Sequence, residues 1–396
     1  FGIFFILKTF YLILITWVEN RFIWSFRAKV SLKLYNNYLS QTYSLYKFKN
    51  SAELLRNTVH EIDQVTNHLR SLINVILEVI VFIGLTSFLL FLNPLSTFII
   101  LSASGFIGFI FYFLTRQKIN DWSLLRQDFE ERRVRLMQEG FNCIKEINLL
   151  DRINFFVEKF KIGNIGLAKI FTKIHFLAAI PRFIFELLAI MIIVFYFSFF
   201  WETKEDINIL ISIVAIYLVA FIRILPSINR ILSGLQILKY TNTSVKLVCE
   251  DIQLIENTLK KKLPGKKIDF NNSLDLKIKD FSHDSKSSFS LKNINIEIKK
   301  NNKIGLIGKS GSGKSTILDI LVGIITSDKI DILIDGKSIK NNINNWQKMI
   351  GYIPQQIFIL NDTLKNNILF GLEKELPESH IEKVIEMASL SKLVKR

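Results

Sequence analysis

The residues of this chain best suited to chemistry are Gly308-Lys309-Ser310-Gly311-Ser312-Gly313-Lys314-Ser315, followed by Thr316. They fit G-x-x-x-x-G-K-[ST], the phosphate-binding loop pattern. Several negative charges in a small volume call for many donors at short range. Glycines let the backbone turn tightly, so that successive N–H groups point into one concave nest. A helix starting near Lys314 adds its positive dipole end and unpaired N–H groups. Lys314 is expected to reach the β- and γ-phosphates of a nucleotide, and the Ser315 hydroxyl to meet Mg²⁺. The elements that must hold this loop are legible on both sides. Ile304 to Ile307 reads as a short buried strand, and Ser315 to Leu321 as the helix that follows.

About 230 residues of membrane-type sequence precede the loop. The chain has 396 residues, enough for two or three domains, and is 49% hydrophobic. A spanning helix needs about 20 mostly apolar residues. Five stretches meet or approach this: Phe1–Val18, Leu72–Leu92, Leu95–Leu114, Phe176–Trp201 and Ile207–Leu225. The connections between the second and third, and between the fourth and fifth, are short and hold one basic residue, Lys204. The other connections, residues 19–71 and 115–175, are long and rich in Lys and Arg. That asymmetry places the long connections and the phosphate loop in the cytosol. It also accounts for the net charge of +16 without nucleic acid as a partner. Residues 115–160 keep helical periodicity with mixed charge, so spanning helices should run far into the cytosol, roughly 45 Å for 30 residues. The two cysteines, Cys143 and Cys249, cannot build a disulfide framework and are expected as reduced thiols.

Glu78, Glu186 and Arg223 interrupt apolar stretches. Each costs about 2.5–3.5 kcal/mol at the bilayer centre and should face the bundle interior or a wet cavity. Glu186 and Arg223 are candidates for a polar translocation path or for an internal pair that fixes helix packing. Pro181 and Pro226 are expected to kink their helices. His60, His68 and His175 have no metal-ligand partners in the sequence, and no metal site is expected from them.

The layout resembles a type I (exporter-fold) ABC transporter half-molecule, membrane domain first and nucleotide-binding domain second. Ile350-Gly351-Tyr352-Ile353-Pro354-Gln355 resembles the family's Q-loop. The resemblance implies that Gln355 contacts Mg²⁺ and senses the membrane domain. Asn361 to Ile368 resembles the segment after that loop, and Ile332-Leu333-Ile334-Asp335-Gly336 the hairpin strand before it. Phe48–Leu55 and Gly140–Phe160, with Ile144-Lys145-Glu146-Ile147, resemble the two coupling-helix regions that pass motion between domains. Phe281-Ser282-His283 is where the family stacks an aromatic on adenine, and His283 aligns best. Ala178-Ala179-Ile180-Pro181-Arg182 and Ile222 to Arg230 are most similar to lipid-linked-oligosaccharide flippases and polysaccharide exporters.

The expected fold is therefore a multi-domain membrane protein. An all-α transmembrane bundle with long cytosolic extensions (residues 1–240) leads through a polar linker (241–266) to a partial α/β P-loop nucleotide-binding domain (267–396), with Leu274 to Ile278 as an edge strand. The chain reads as a piece without the family's first span, and the signature sequence, Walker B strand, catalytic glutamate, D-loop and switch histidine are absent from it, so no catalytic residue is expected within it. Leu232-Ser233-Gly234-Leu235-Gln236 imitates a signature sequence but lies upstream, on the helix leaving the membrane. The resemblance implies ATP and Mg²⁺ as cofactors and a second half-transporter, a homodimer, as partner. It places the protein as multi-pass in a bacterial inner membrane, moving a lipid-linked oligosaccharide or similar amphipathic substrate. The alternatives are export of lipids, peptides or drugs, and a non-hydrolysing regulatory or degenerate subunit.

Overall fold

The computed structural model describes residues 1–41, 50–92, 94–203, 207–259, 268–282, 290–340, 342–355, 357–372 and 376–394. It divides into two compact units, Phe1–Pro264 and Gly265–Arg396.

Among its described residues the first unit is built of helices. Its elements are α1 (Gly2–Leu39), α2 (Ser51–Arg56), a π-helical turn (Asn57–Glu61), α3 (Ile62–Leu92), α4 (Pro94–Asn142), α5 (Ile144–Leu149), α6 (Ile153–Thr203) and α7 (Ile207–Leu259). Each of the five apolar stretches lies on one long helix, and each helix extends well past its apolar part. Two helical runs, Gly2–Leu39 and Ser51–Phe91, are long and apolar enough to cross a membrane by length and composition. Large apolar side chains on α1, including Phe4, Ile6, Phe10 and Ile13, point away from the rest of the unit. In water such a surface would be costly, and in lipid it is satisfied. Pro181 and Pro226 both lie inside continuous helices.

Residues 241–259, expected as linker, are the last turns of α7. The reason is visible in their packing. Val248 joins a core cluster with Leu34, Tyr38, Leu54 and Ile62 from α1, α2 and α3. Gly234 explains why α7 approaches α3 so closely. A β-carbon there would overlap the Val75 side chain, and the Ser71 hydroxyl donates to the Gly234 carbonyl at 3.0 Å. The resemblance of this stretch to a signature sequence thus has a packing explanation.

The two coupling-helix regions fall on α2 and α5, both short; residues 42–49 lie outside the described residues. The Asn50 side chain caps α2, accepting from the Ala52 N–H at 3.1 Å, as an Asn N-cap should.

The second unit is built on a four-stranded antiparallel sheet of order β2-β1-β3-β4: β1 (Ser273–Phe281), β2 (Leu291–Lys299), β3 (Ile330–Ile334) and β4 (Lys337–Ser338). The helices are α8 (Lys314–Leu321), α9 (Ile343–Gln347), α10 (Leu364–Leu369), α11 (Glu378–Met387) and α12 (Ser391–Val394). Alternation decides the register. Leu274, Leu276 and Ile278 lie opposite Ile334, Ile332 and Ile330, and all six are buried. Ile320 of α8 and Trp346 of α9 close the same core.

Two expectations change here. β1 is an interior strand, paired on both sides, rather than an edge strand. Ile304 to Ile307, expected as a buried strand, forms none, and Ile307 is fully exposed. An apolar run becomes a strand only through ladder partners, and none of the described strands pairs with this segment.

The turn between β3 and β4 is held by one carboxylate. Asp335 and Gly336 both have positive φ, 47° and 79°, the two-residue hairpin geometry that Asp-Gly favours. The Asp335 carboxylate accepts the N–H groups of Asn271, Asn272 and Ser273 at 2.8, 2.7 and 2.9 Å. Those backbone donors hold its carboxyl below the ordinary carboxylate range. A depressed value in the fold means stability that is present at neutral pH and lost as the pH falls through the carboxylate range. We expect Asp335→Ala to speed hydrogen exchange at the amides of 271–273 at pH 7. In the parent chain the same acceleration should emerge only in acid. Unchanged exchange in the variant would show that the carboxylate does not hold this turn.

Candidate functional site

The phosphate loop is shaped as its sequence requires. Gly311 and Gly313 adopt positive φ, 79° and 93°, a conformation that costs any other residue Cβ strain. Gly308 cannot carry a side chain without crowding the Ser312 hydroxyl, since a β-carbon would come to 2.9 Å from it. α8 begins at Lys314 with Gly313 as its N-cap, and no side chain caps that end. Its first N–H groups are therefore left for another acceptor. The Lys314 ammonium folds back over the loop, donating to the carbonyls of Gly308 at 2.8 Å and Lys309 at 2.7 Å, with the Ser312 hydroxyl at 3.4 Å. Lys309, Ser310 and Ser315 are exposed around it, and Thr316 is half-buried on the first turn. The donor set suits a polyphosphate. It combines a glycine-shaped backbone concavity, an uncapped helix start and one cation held by neutral loop oxygens that an anion can outcompete.

Gln355 is exposed, at the end of the segment that leaves α9. Its neighbouring region is well defined locally. Asn367 spans residues 360–367, accepting from the Leu360 N–H at 2.7 Å and donating to the carbonyls of Leu360, Asp362 and Thr363. Thr363 caps α10, accepting from the Asn366 N–H at 3.2 Å. Phe281 is buried at the end of β1, opposite Leu291. His283 lies outside the described residues.

In the first unit, Glu186 is exposed on α6 and pairs with Arg182, one turn earlier, at 2.8 Å. Glu78 pairs with Arg230 of α7 at 2.9 Å, an interhelical ion pair of the packing type. Arg223 lies within α7; its side chain is outside the described residues.

A buried charge cluster away from the apolar stretches carries no signal in the sequence. Arg126 of α4 and Glu61 of the π-turn are both fully buried and meet at 2.8 Å. Arg126 also donates to Glu130 at 2.7 Å and to the Ser244 hydroxyl of α7 at 3.0 Å, with the Tyr240 ring 5.7 Å from its guanidinium carbon. Arg56 reaches Glu131 at 2.6 Å, and Asn57 donates to Asp251 at 3.0 Å beside the Tyr38–Asp251 hydrogen bond. Burial alone would raise the Glu61 carboxyl, but the Arg126 charge and hydrogen bond outweigh it and hold the carboxyl low. The mixed charge around Arg126 reads as a solvated helix face. Packing of the π-turn and α7 against that face buries it.

Comparison with known proteins bears on both units. Residues 291–396 match the ABC transporter family. A solved bacterial Atm1-family ABC exporter with ATP bound matches 95% of this chain and 66% of its own, with a TM-score of 0.70 at 13% identity. The chain has the fold of that ABC exporter. Among curated relatives, this exporter-fold chain is 38% identical over 109 residues to the ATP-dependent lipid A-core flippase of Wigglesworthia glossinidia brevipalpis, which is 27% of this chain and 19% of that protein. It is 28% identical over 126 residues to the flippase of the same name from Photobacterium profundum, 32% of this chain and 22% of that one. The ATP-dependent permease MDL1 of Candida albicans is 32% identical over 134 residues, 33% of this chain and 19% of its own length. The chain thus covers about a fifth of the length of the curated relatives it matches.

Proposed function

We propose that this chain is half of an ATP-driven exporter or flippase that moves a lipid-linked oligosaccharide or similar amphipathic molecule across a membrane. The observation that carries the reading is the phosphate loop, with its cradled Lys314 and uncapped α8, in a chain whose other unit is an exporter-type helical bundle. Gly308 to Gly313 hold the phosphates, Lys314 supplies the charge, and Ser315 and Gln355 take Mg²⁺. Mg²⁺ in that position draws off phosphate charge. A second half-transporter, most simply another copy of the chain, completes the assembly in a bacterial inner membrane, with the nucleotide unit in the cytoplasm. Nucleotide binding then favours one of two arrangements of the bundle, and hydrolysis returns it to the other. The names of the relatives, lipid A-core flippases among them, favour a glycan-bearing lipid over a drug or peptide.

The test is reconstitution of the full-length gene product in vesicles with a fluorescent polyprenyl-linked glycan on one leaflet. ATP should drive its loss from that leaflet, and Lys314→Ala should stop it. Movement of a drug or peptide substrate but not the glycan would move the reading to a general exporter. Nucleotide binding with no transport of any class would leave the regulatory alternative.

A further inference from the structure

The far end of α8 carries a feature that the phosphate loop does not require. α8 is two turns long, with Lys314 and Ser315 at its start and Leu321 at its end. A helix of this length leaves its last carbonyls without intrahelical partners. Here backbone N–H groups of residues 322–325 take those of Leu318, Asp319 and Ile320, and two side chains of α9 take carbonyls at the helix end and just past it. The Trp346 indole N–H donates to the Leu321 carbonyl at 2.8 Å, and the Gln347 amide donates to the Gly323 carbonyl at 3.1 Å. The fit is close. Gly323 has φ +75°, and a β-carbon there would come to 2.9 Å from Ile343 of α9. Trp346 is buried and stands edge-on to Phe270, with ring centroids 6.5 Å apart.

What leaves α9 is the segment that ends in Gln355. The Met349 N–H donates to the Trp346 carbonyl at 2.9 Å and the Ile350 N–H to the Gln347 carbonyl at 3.2 Å, and Ile350 packs on the core. The start of that segment is therefore fixed to α9, and α9 is fixed to α8. We propose that Trp346 and Gln347 are positioning residues of the nucleotide site, setting the offset between the phosphate-loop helix and the Gln355 segment. The proposal rests on the reading that Ser315 and Gln355 both serve Mg²⁺. The loop's own donors, from Gly308 to Gly313, lie on one short stretch of backbone and do not depend on this clamp. A metal ligated from two segments does, because ligands must be held to about half an ångström.

The experiment is titration of the full chain with a fluorescent ATP analogue, with and without Mg²⁺. Gln347→Glu removes the donor and sets a carboxylate against the Gly323 carbonyl, whereas Gln347→Arg keeps N–H donors at that position. Trp346→Phe keeps the buried ring and removes only the indole N–H. We expect Gln347→Glu and Trp346→Phe each to weaken Mg²⁺-nucleotide binding about tenfold, the loss of one hydrogen bond to a buried group. Metal-free nucleotide should bind within about twofold of the parent chain, and Gln347→Arg should bind both forms as the parent does. Equal loss of both forms, together with a lower melting temperature, would make the pair a structural clamp only and overturn the proposal. Parent-like binding in all three variants would also overturn it. Should Gln347→Glu fail to fold, Trp346→Phe decides alone. Lys314→Ala in the same series separates the two ideas: parent-like affinity in that variant would defeat the nucleotide reading itself.

Discussion

Lys314→Ala should weaken binding of an ATP analogue roughly 30- to 150-fold, with little change in the melting temperature of the chain. A hydrogen bond to a charged group contributes about 2–3 kcal/mol, and each 1.4 kcal/mol is a factor of ten in affinity. The ammonium now rests on the carbonyls of Gly308 and Lys309. Both residues are exposed, so the carbonyls can turn to water when the lysine is removed, and folding loses little. The bound state has no such substitute, because the remaining donors are backbone N–H groups already directed at the anion. Lys314→Arg is the sharper control. It keeps the charge, but a planar fork does not match a cradle that holds a compact ammonium, so its affinity should fall nearer to the alanine variant than to the parent. Parent-like affinity in Lys314→Ala, measured by fluorescence titration, would remove the nucleotide reading and the transport reading built on it.

The loop was legible because its chemistry constrains residue type at each position. A concave backbone nest needs Gly at 311 and 313, where φ is positive, and a close turn needs it at 308. The long helices were legible for a similar reason, since lipid allows few solutions for an apolar stretch. What the sequence could not show was pairing. Ile304 to Ile307 has strand composition and no strand, because pairing depends on residues elsewhere. Leu274 to Ile278 and Ile332 to Ile334 were recognisable as strands, but neither their pairing nor the second partner, 291–299, was. Residues 241–259 look polar enough for a linker, yet Val248, Ser244 and Asp251 face buried partners on α1, α3 and α4. Arg126 and Glu61 are 65 positions apart and carry no motif. Their meeting follows from helix packing, which single-sequence charge patterns do not encode.

That pair supports the second large expected effect. Removing Arg126 leaves two buried carboxylates, Glu61 and Glu130, with Arg56 3.8 Å from Glu61, and breaking a buried pair from one side costs about 3–5 kcal/mol. Arg126→Met should therefore lower the melting temperature of the detergent-purified chain by about 6–20 °C, and Glu61→Gln by less, since Arg126 keeps Glu130. Replacing both partners together, Glu61→Leu with Arg126→Met, should recover part of the loss, because desolvation of two charges is removed along with their attraction while Glu130 is left without Arg126. The pH dependence has a definite sign. Glu61 is held below the ordinary glutamate value of about 4.3, so its contribution is complete at pH 7 and declines only as the pH drops below about 4. A melting temperature that falls between pH 8 and 6 by this mechanism would contradict the assignment. The double variant also asks why the charges are there. Glu61 closes a π-helical turn, a helix form with one residue more per hydrogen-bonded ring than α, and such turns can revert to α by shifting register. An ion pair to Arg126, tied in turn to Ser244 of α7, accepts only one register. If hydrogen exchange across 56–66 in the double variant matches the parent chain, packing alone sets that register. If exchange rises there while the melting temperature is partly recovered, the pair contributes specificity rather than stability, which is the best-attested use of buried charge.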